Sequence, residues 1–423
     1  MPISQGVSGI GVIKPGRIFY GWWVIASVSL LYALTNGIYW SGFSFYFLPI
    51  TKELGLSRTS MSLVLGLGRL VGGLQGPLAG YLVDRLGPRI MIACGGLLAG
   101  LGLIVMSRSN SYYTFLLVYL GMVAIGFAGG FDQGIISVAN RWFVRRKARA
   151  FSILWVGLAL GSAFVAPIVG VLVINIGWRD TAAISGAAVL VLLVPAVLVI
   201  RNSPEDLGLK PDGDGRRTPV HHPGVPRQIA AKADAASPVQ PSAEGPGMGN
   251  NGNPTAEEPT PFREQYAEVN FTAMQGFKTV SYWLLALALG LQVAGNTGLL
   301  FHFVPMIVWK GQSEAFAGLL IGIYGLATIP LFLLMGWVGD RWAKDKVSSC
   351  GMIIGAAGLG VLVASDGRGW QLVLVMLLLA ASYSTTVAGW ALVGELFGRK
   401  AFATLLGGIT MTYSLLSAAT PIL

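Results

Sequence analysis

Four ionisable residues stand inside long apolar stretches of this 423-residue chain: Arg69, Asp132, His302 and Glu395. A charge within such a stretch is costly in lipid and marks a candidate functional position. Arg69 carries a guanidinium that stays protonated and offers a planar fork of donors matched to a carboxylate. Asp132, in Gly129-Gly130-Phe131-Asp132, is a carboxyl able to take up and release a coupling proton. His302 is a second candidate for that role, with an interfacial hydrogen bond as the alternative. At ~1.5 Å per helical residue, Arg69 and Asp132 lie about 14 Å apart along the membrane normal, at the limit of direct pairing. A different pattern occurs twice: Asp84-Arg85 and Asp340-Arg341 each follow a glycine by four residues, Gly80 and Gly336. A carboxylate placed near a helix N-terminus and cations is stabilised by both. No His/Asp cluster, Ser/Lys pair, metal-ligand spacing or GxxxxGK loop accompanies these residues, which argues against an enzyme, a metal, a cofactor and ATP-driven pumping.

Only elements that cross a bilayer can hold these residues. The chain is 54% hydrophobic and 11% charged, against roughly 25% charged in soluble domains, and its mean hydropathy is +0.66. That composition excludes a soluble globular enzyme, a secreted disulfide scaffold and a nucleic-acid-binding domain. Apolar runs of about 20 residues suffice to span a membrane. Eleven are expected, near 20–48, 61–83, 90–107, 113–139, 150–175, 181–200, 281–308, 315–339, 347–364, 371–396 and 402–423. Cys94 and Cys350 each stand alone inside such a run and read as packing residues. Between Pro204 and Pro261 lie eleven of the chain's 21 prolines, so 201–280 is expected to be a disordered linker. It separates a bundle at 1–200 from another at 281–423. With the N-terminus and linker in the cytoplasm, the inner short loops carry fourteen Lys and Arg against six outside, the bias of an inner (plasma) membrane protein. The net charge of +10 is then topological and calls for no nucleic acid.

The two bundles repeat one another. A shift of 256 residues lays Gly42, Phe45, Phe47 and Pro49 on Gly298, Phe301, Phe303 and Pro305, and Gly80, Asp84, Arg85 and Cys94 on Gly336, Asp340, Arg341 and Cys350. Parallel repeats of this kind belong to transporters that rock two bundles around a central site. The expected fold is therefore all-α, with two six-helix bundles. A shift of 254 lays Pro167-Ile168 on Pro421-Ile422, which suggests that the C-terminal bundle is truncated within helix 11. A natural eleven-span protein is the alternative.

The segment Gly80-Tyr-Leu-Val-Asp84-Arg85-Leu-Gly87-Pro-Arg89 resembles the loop signature of the major facilitator superfamily, and Gly336-Trp-Val-Gly-Asp340-Arg341 resembles a degraded second copy. Tyr20-Gly21-Trp22-Trp23, Arg141-Trp142-Phe143, Gly177-Trp178-Arg179, Pro204-Glu205-Asp206-Leu207-Gly208 and Glu395-Leu-Phe397-Gly398-Arg399 are similar to the bacterial, oxalate/formate antiporter-like branch of the monocarboxylate transporters. The resemblance implies that Gly80, Asp84, Arg85, Gly87, Arg89, Gly336, Asp340 and Arg341 form a conformational gate. Asp84 would face the start of helix 11, and Asp340 the start of helix 5. It also implies a cavity lined from spans 1, 4, 7 and 10, to which Asn36, Tyr39, Trp40, Gln292, Asn296, Tyr383 and Trp390 would contribute, with Tyr324 and Trp155 from spans 8 and 5. That family carries its substrate-binding Arg in span 8. Here span 8 has no charge, and Arg69 aligns by the repeat with Gly325, so the anion-binding cation is expected in the other half. The function so implied is secondary transport of a small organic anion, a monocarboxylate, by a monomer in the lipid bilayer, as symporter or antiporter. The alternatives are efflux of hydrophobic or cationic compounds and a non-transporting membrane sensor or partner protein.

Overall fold

The computed structural model describes residues 18–213 and 271–419, and among these every regular element is helical. Eleven helical passages follow the apolar runs to within a few residues. They are α1 (Tyr20–Glu53), α2 (58–86), α3 (Pro88–Met106), α4 (Tyr112–Trp142), α5 (147–176), α6 (178–199), α7 (Val280–Trp309), α8 (Glu314–Arg341), α9 (Lys344–Ala364), α10 (Gly369–Phe397) and α11 (Phe402–Ala419). Ser57, Thr279 and Ser313 start α2, α7 and α8 by accepting a backbone N–H three residues on, which satisfies one of the free donors of a helix start. Gly177, at φ +83°, breaks α5 from α6 in a conformation open chiefly to glycine.

Large apolar side chains point outward, among them Ile174, Trp309 and Val363, each more than 80% exposed. Such a surface suits lipid and not water. Inside, one buried cluster runs from Val24 and Ile25 of α1 through Trp390 of α10 to Phe402, Leu405 and Ile409 of α11. The hydrophobic core therefore crosses from one half to the other. The halves join most extensively where α2 packs on α11 and α5 on α8, with α5 also meeting α10 and α4 meeting α11.

The halves differ at one lateral face. In the N-terminal half, Leu190 and Leu193 of α6 press on Gly100 and Gly96 of α3, while Gly186 meets Gly100 and Leu103. The repeat equivalents of Gly96, Ala99, Gly100 and Leu103 are Met352, Gly355, Ala356 and Leu359 of α9. Those four residues, with α7 and α10, wall a groove of about 510 Å³.

The proline-rich linker is ordered at its described ends. Trp142 Nε1 donates to the Arg201 carbonyl at 3.0 Å. The Asp212 carboxylate accepts the backbone N–H groups of Val144, Arg145 and Arg146 at 3.0, 2.8 and 3.1 Å. On the other side, Phe271 N–H donates to the Phe397 carbonyl, and a helical turn, Ala273–Phe277, is capped by Thr272. Single capping side chains hold these ends, and composition averaged over 80 residues does not reveal them. Residues 214–270 lie outside the described residues, as do Lys14, Arg17 and the Pro421-Ile422 match of the repeat.

Candidate functional site

One end of the bundle gathers Arg85, Arg89, Arg141, Arg149, Lys344 and Arg399, and is termed the basic end. Here two carboxylates cross between the halves. Asp84, in the last turn of α2, accepts the N–H groups of Ala403 and Thr404 at 3.2 and 2.8 Å and the Thr404 hydroxyl at 2.7 Å. It sits on the first turn of α11, where free N–H groups and the helix dipole favour an anion. Arg141 Nη2 stands 3.9 Å from Asp84 Oδ1 and donates to the Val83 and Asp84 carbonyls. Asp340, in the last turn of α8, accepts the Ala148 N–H at 2.9 Å on the first turn of α5. Arg149 Nε lies 3.1 Å from Asp340 Oδ2, without hydrogen-bond alignment.

Both motif glycines allow this approach. A Cβ on Gly80 would overlap the Ala403 carbonyl, and one on Gly336 would overlap the Ser152 hydroxyl. The other motif residues do different work. Gly87, at φ +90°, turns the chain under Asn202, whose side-chain oxygen accepts the Arg89 N–H at 3.1 Å. Arg89 Nε donates to the Val197 carbonyl at 2.9 Å, tying α3 to α6. Arg85 is exposed and reaches Tyr81; Arg341 lies over the Trp337 ring at 3.8 Å. The cations beside the two carboxylates are thus Arg141 and Arg149, which the motif does not contain. Their signal in the sequence was the basic run between spans 4 and 5, opposite the two Asp-Arg copies.

Deeper in the bundle, Arg69 is exposed and has no ion-pair partner among the described residues. It lies close enough to Tyr39, Tyr119 and Tyr413 to act on them electrostatically. Asp132 has the Trp40 indole as a neighbouring donor and acts on Tyr32, Tyr39 and Tyr413. Arg69 and Asp132 make no direct pair, but they share Tyr39 of α1 and Tyr413 of α11. Tyr39 stacks on Phe127 with ring centroids 4.7 Å apart. Trp155 and Trp390, 6.3 Å apart, meet across the two halves. Sequence reasoning missed Tyr32, Tyr119 and Tyr413, since nothing in spacing distinguishes a tyrosine that faces a cation from one that packs.

Several predicted cavity residues are engaged within one half. Asn36 donates to the Leu158 carbonyl at 2.8 Å and to the Ser162 hydroxyl at 2.7 Å, binding α1 to α5. Gln292 donates to the Ser382 carbonyl and the Thr385 hydroxyl at 3.0 and 3.2 Å. Tyr324 donates to Asn296 Oδ1 at 3.0 Å. Gln292, Asn296 and Tyr383 also line the lateral groove of α7, α9 and α10. His302 is half-buried toward the far end of α7. Four wide, π-helical turns interrupt the N-terminal half, at Asn36–Ser41, Tyr119–Ala124, Gly126–Asp132 and Gly161–Val165. Such turns in membrane helices commonly mark functional positions, and three of these carry Asn36, Tyr39, Trp40, Tyr119 and Asp132.

Comparison with known proteins agrees with this architecture. The family model described as Major Facilitator Superfamily matches residues 25–421. Monocarboxylate transporter 12 of Rattus norvegicus is 25% identical over 336 residues, covering 79% of this chain and 64% of that protein. The chain therefore spans a little under two thirds of the length of that relative. Among solved structures, the proton:xylose symporter XylE superposes with a TM-score of 0.68 at 16% identity, over 95% of this chain and 87% of that one. FucP, in the outward conformation, superposes with a TM-score of 0.61 at 14% identity, over 95% and 90%.

Proposed function

The chain belongs to the Major Facilitator Superfamily, and on that premise we propose that it is a secondary transporter of a small organic anion of the monocarboxylate class, working by alternating access. The observation that carries this reading is Arg69. It is an exposed guanidinium without an ion-pair partner among the described residues, within electrostatic reach of Tyr39, Tyr119 and Tyr413 where α2 meets α11. A carboxylate would satisfy its fork, and the tyrosine hydroxyls and Trp40 indole would receive the rest of a small polar molecule with an apolar part. The similarity to monocarboxylate transporter 12 supports the same class of cargo.

In this reading Asp84 and Asp340 hold the halves together at the basic end, which faces the cytoplasm, and their release opens the site inward. Asp132 carries the coupling proton, and His302 serves an interfacial hydrogen bond. The protein acts as a monomer in the inner membrane, with the 201–280 linker cytoplasmic. Labelled lactate, pyruvate and oxalate offered to proteoliposomes, with and without a pH gradient, test the proposal. Uptake of at least one, lost in Arg69→Ala, is the expected result. Full anion uptake by Arg69→Ala would remove the guanidinium from the site. Transport of none of the three would favour the efflux reading, for which Asp132 is the available cavity carboxylate.

A further inference from the structure

The inner part of α4 carries polar groups that the closed gate does not use. Gln133, Ser137 and Asn140 follow one another at the spacing of a single helix face. That face looks into the other half: Gln133 Nε2 donates to the Thr410 hydroxyl of α11 at 3.2 Å, and Asn140 abuts Gly394 of α10. Ser137 is 1% exposed and Asn140 fully buried. Among the described residues, neither amide atom of Asn140 has a hydrogen-bond partner, nor does the Ser137 hydroxyl. An orphaned buried polar atom is destabilising, and a seam needed only as a seal would be apolar. Beside Asn140 lies Lys147, the first residue of α5, whose side chain is also buried and whose Nζ donates to the Gly394 carbonyl at 2.8 Å. A Cβ on Gly394 would collide with Asn140 Oδ1 and stand 3.1 Å from Lys147 Nζ, so the amide and the ammonium converge on one point. Arg141 and Arg149, the neighbouring cations, are occupied at Asp84 and Asp340.

We propose that Ser137, Asn140 and Lys147 form a second anion station, which receives a carboxylate on its way past the basic end when α4 and α5 part from α10 and α11. The station presents an ammonium, a hydroxyl and, once the Asn140 side chain turns its N–H2 to the place its Oδ1 holds beside Lys147, an amide donor, the groups that a carboxylate needs. In the closed arrangement these groups are withheld from ligand. Opening exposes them, and the cargo supplies the acceptors that Asn140 and Ser137 lack. The station rests on the organic-anion reading of Arg69, but it predicts an asymmetry that Arg69 does not: it binds only from the basic end.

Labelled pyruvate in proteoliposomes of the full chain tests it by measuring KM from each face. Asn140→Ala raises KM about fivefold or more from the basic end, the effect of one hydrogen bond to a charged ligand, and changes it less than about twofold from the far end. An equal change on both faces, or none, overturns the station. Pyruvate transport by neither face of the wild type would count against the organic-anion reading, and the station is then decided without cargo. For this, Ser137→Cys is made in protein whose Cys94 and Cys350 are alanine, and it is treated from the basic end with sulfonate and trimethylammonium thiol reagents of equal size. The sulfonate reacts about fivefold faster, and Lys147→Gln removes the preference. Labelling without charge preference, a preference that survives Lys147→Gln, or no labelling by either reagent overturns it.

Discussion

Asp84 of the N-terminal half and Asp340 of the C-terminal half hold equivalent positions in the repeat, yet they grip their opposite halves differently. Asp84 takes three hydrogen bonds, two from backbone N–H groups and one from Thr404. Asp340 takes the Ala148 N–H and an unaligned approach from Arg149. The glycines beside them differ in the same direction. Gly80 lies against backbone, the Ala403 carbonyl, while Gly336 lies against a side chain, the Ser152 hydroxyl. The same inequality runs through the membrane: Arg69, Asp132 and all four π-helical turns belong to the N-terminal half. In the described C-terminal half His302 and Glu395 stand toward the ends of α7 and α10, Glu395 paired with Lys344 at 2.7 Å, and the residues nearer the middle, Gln292, Asn296, Tyr324 and Tyr383, are neutral. Among the described residues, the deep charges and the irregular backbone thus lie in one half, and the other half is the more regular.

Charge should be the most severe point at which to break this asymmetry. Arg69→Ala is expected to lower kcat/KM for a carboxylate about 100-fold, the scale of losing a charge-assisted bidentate contact. Substituting its repeat counterpart, Gly325→Ala, should leave uptake within about twofold, since a Cβ there meets open space. Zero-trans uptake of labelled pyruvate compares the two.

The glycine pair comes next. Gly80→Ala forces a methyl against backbone that cannot rotate away, so turnover is expected to fall about tenfold. Gly336→Ala meets the Ser152 hydroxyl, which can change rotamer, and the Ser152 Cβ, which moves only with α5, so its loss should be smaller than at Gly80, about fivefold. Equal losses would show that the two halves close with the same tightness.

The carboxylates themselves sharpen the comparison. Asp84→Asn weakens three contacts and should raise thiol-reagent accessibility at the basic end about tenfold, in protein with a reporter cysteine replacing Ser137. Asp340→Asn, with fewer aligned contacts, should raise it about threefold. A smaller effect still is expected at Glu205, whose carboxylate lies 2.9 Å from Arg399 Nη1 across the halves and is half exposed. Glu205→Ala should change the same accessibility by less than about twofold, as exposed ion pairs contribute little.

The sequence of this protein sufficed for its membrane class, its helices and its duplication, because each rests on local or periodic information. Apolar runs dictate spans through the cost of burying backbone in lipid, and the 256-residue register of Asp, Arg and Cys needs no coordinates. The family resemblance of the two Asp-Arg segments, rather than the register, implied that Asp84 faces α11 and Asp340 faces α5, where their hydrogen bonds lie. What remained hidden were choices made by side chains among neighbours far apart in the chain. Arg85 and Arg341 belong to the motif but face outward, while Arg141 and Arg149 stand at the carboxylates. Asn36 reads as a cavity residue but satisfies α5. Asp212 sits in a proline-rich stretch and still caps a loop nearly 70 residues away. Only the packed structure decides such matters: a donor binds whichever acceptor the fold brings within about 3 Å, and that distance is not encoded in spacing along the chain.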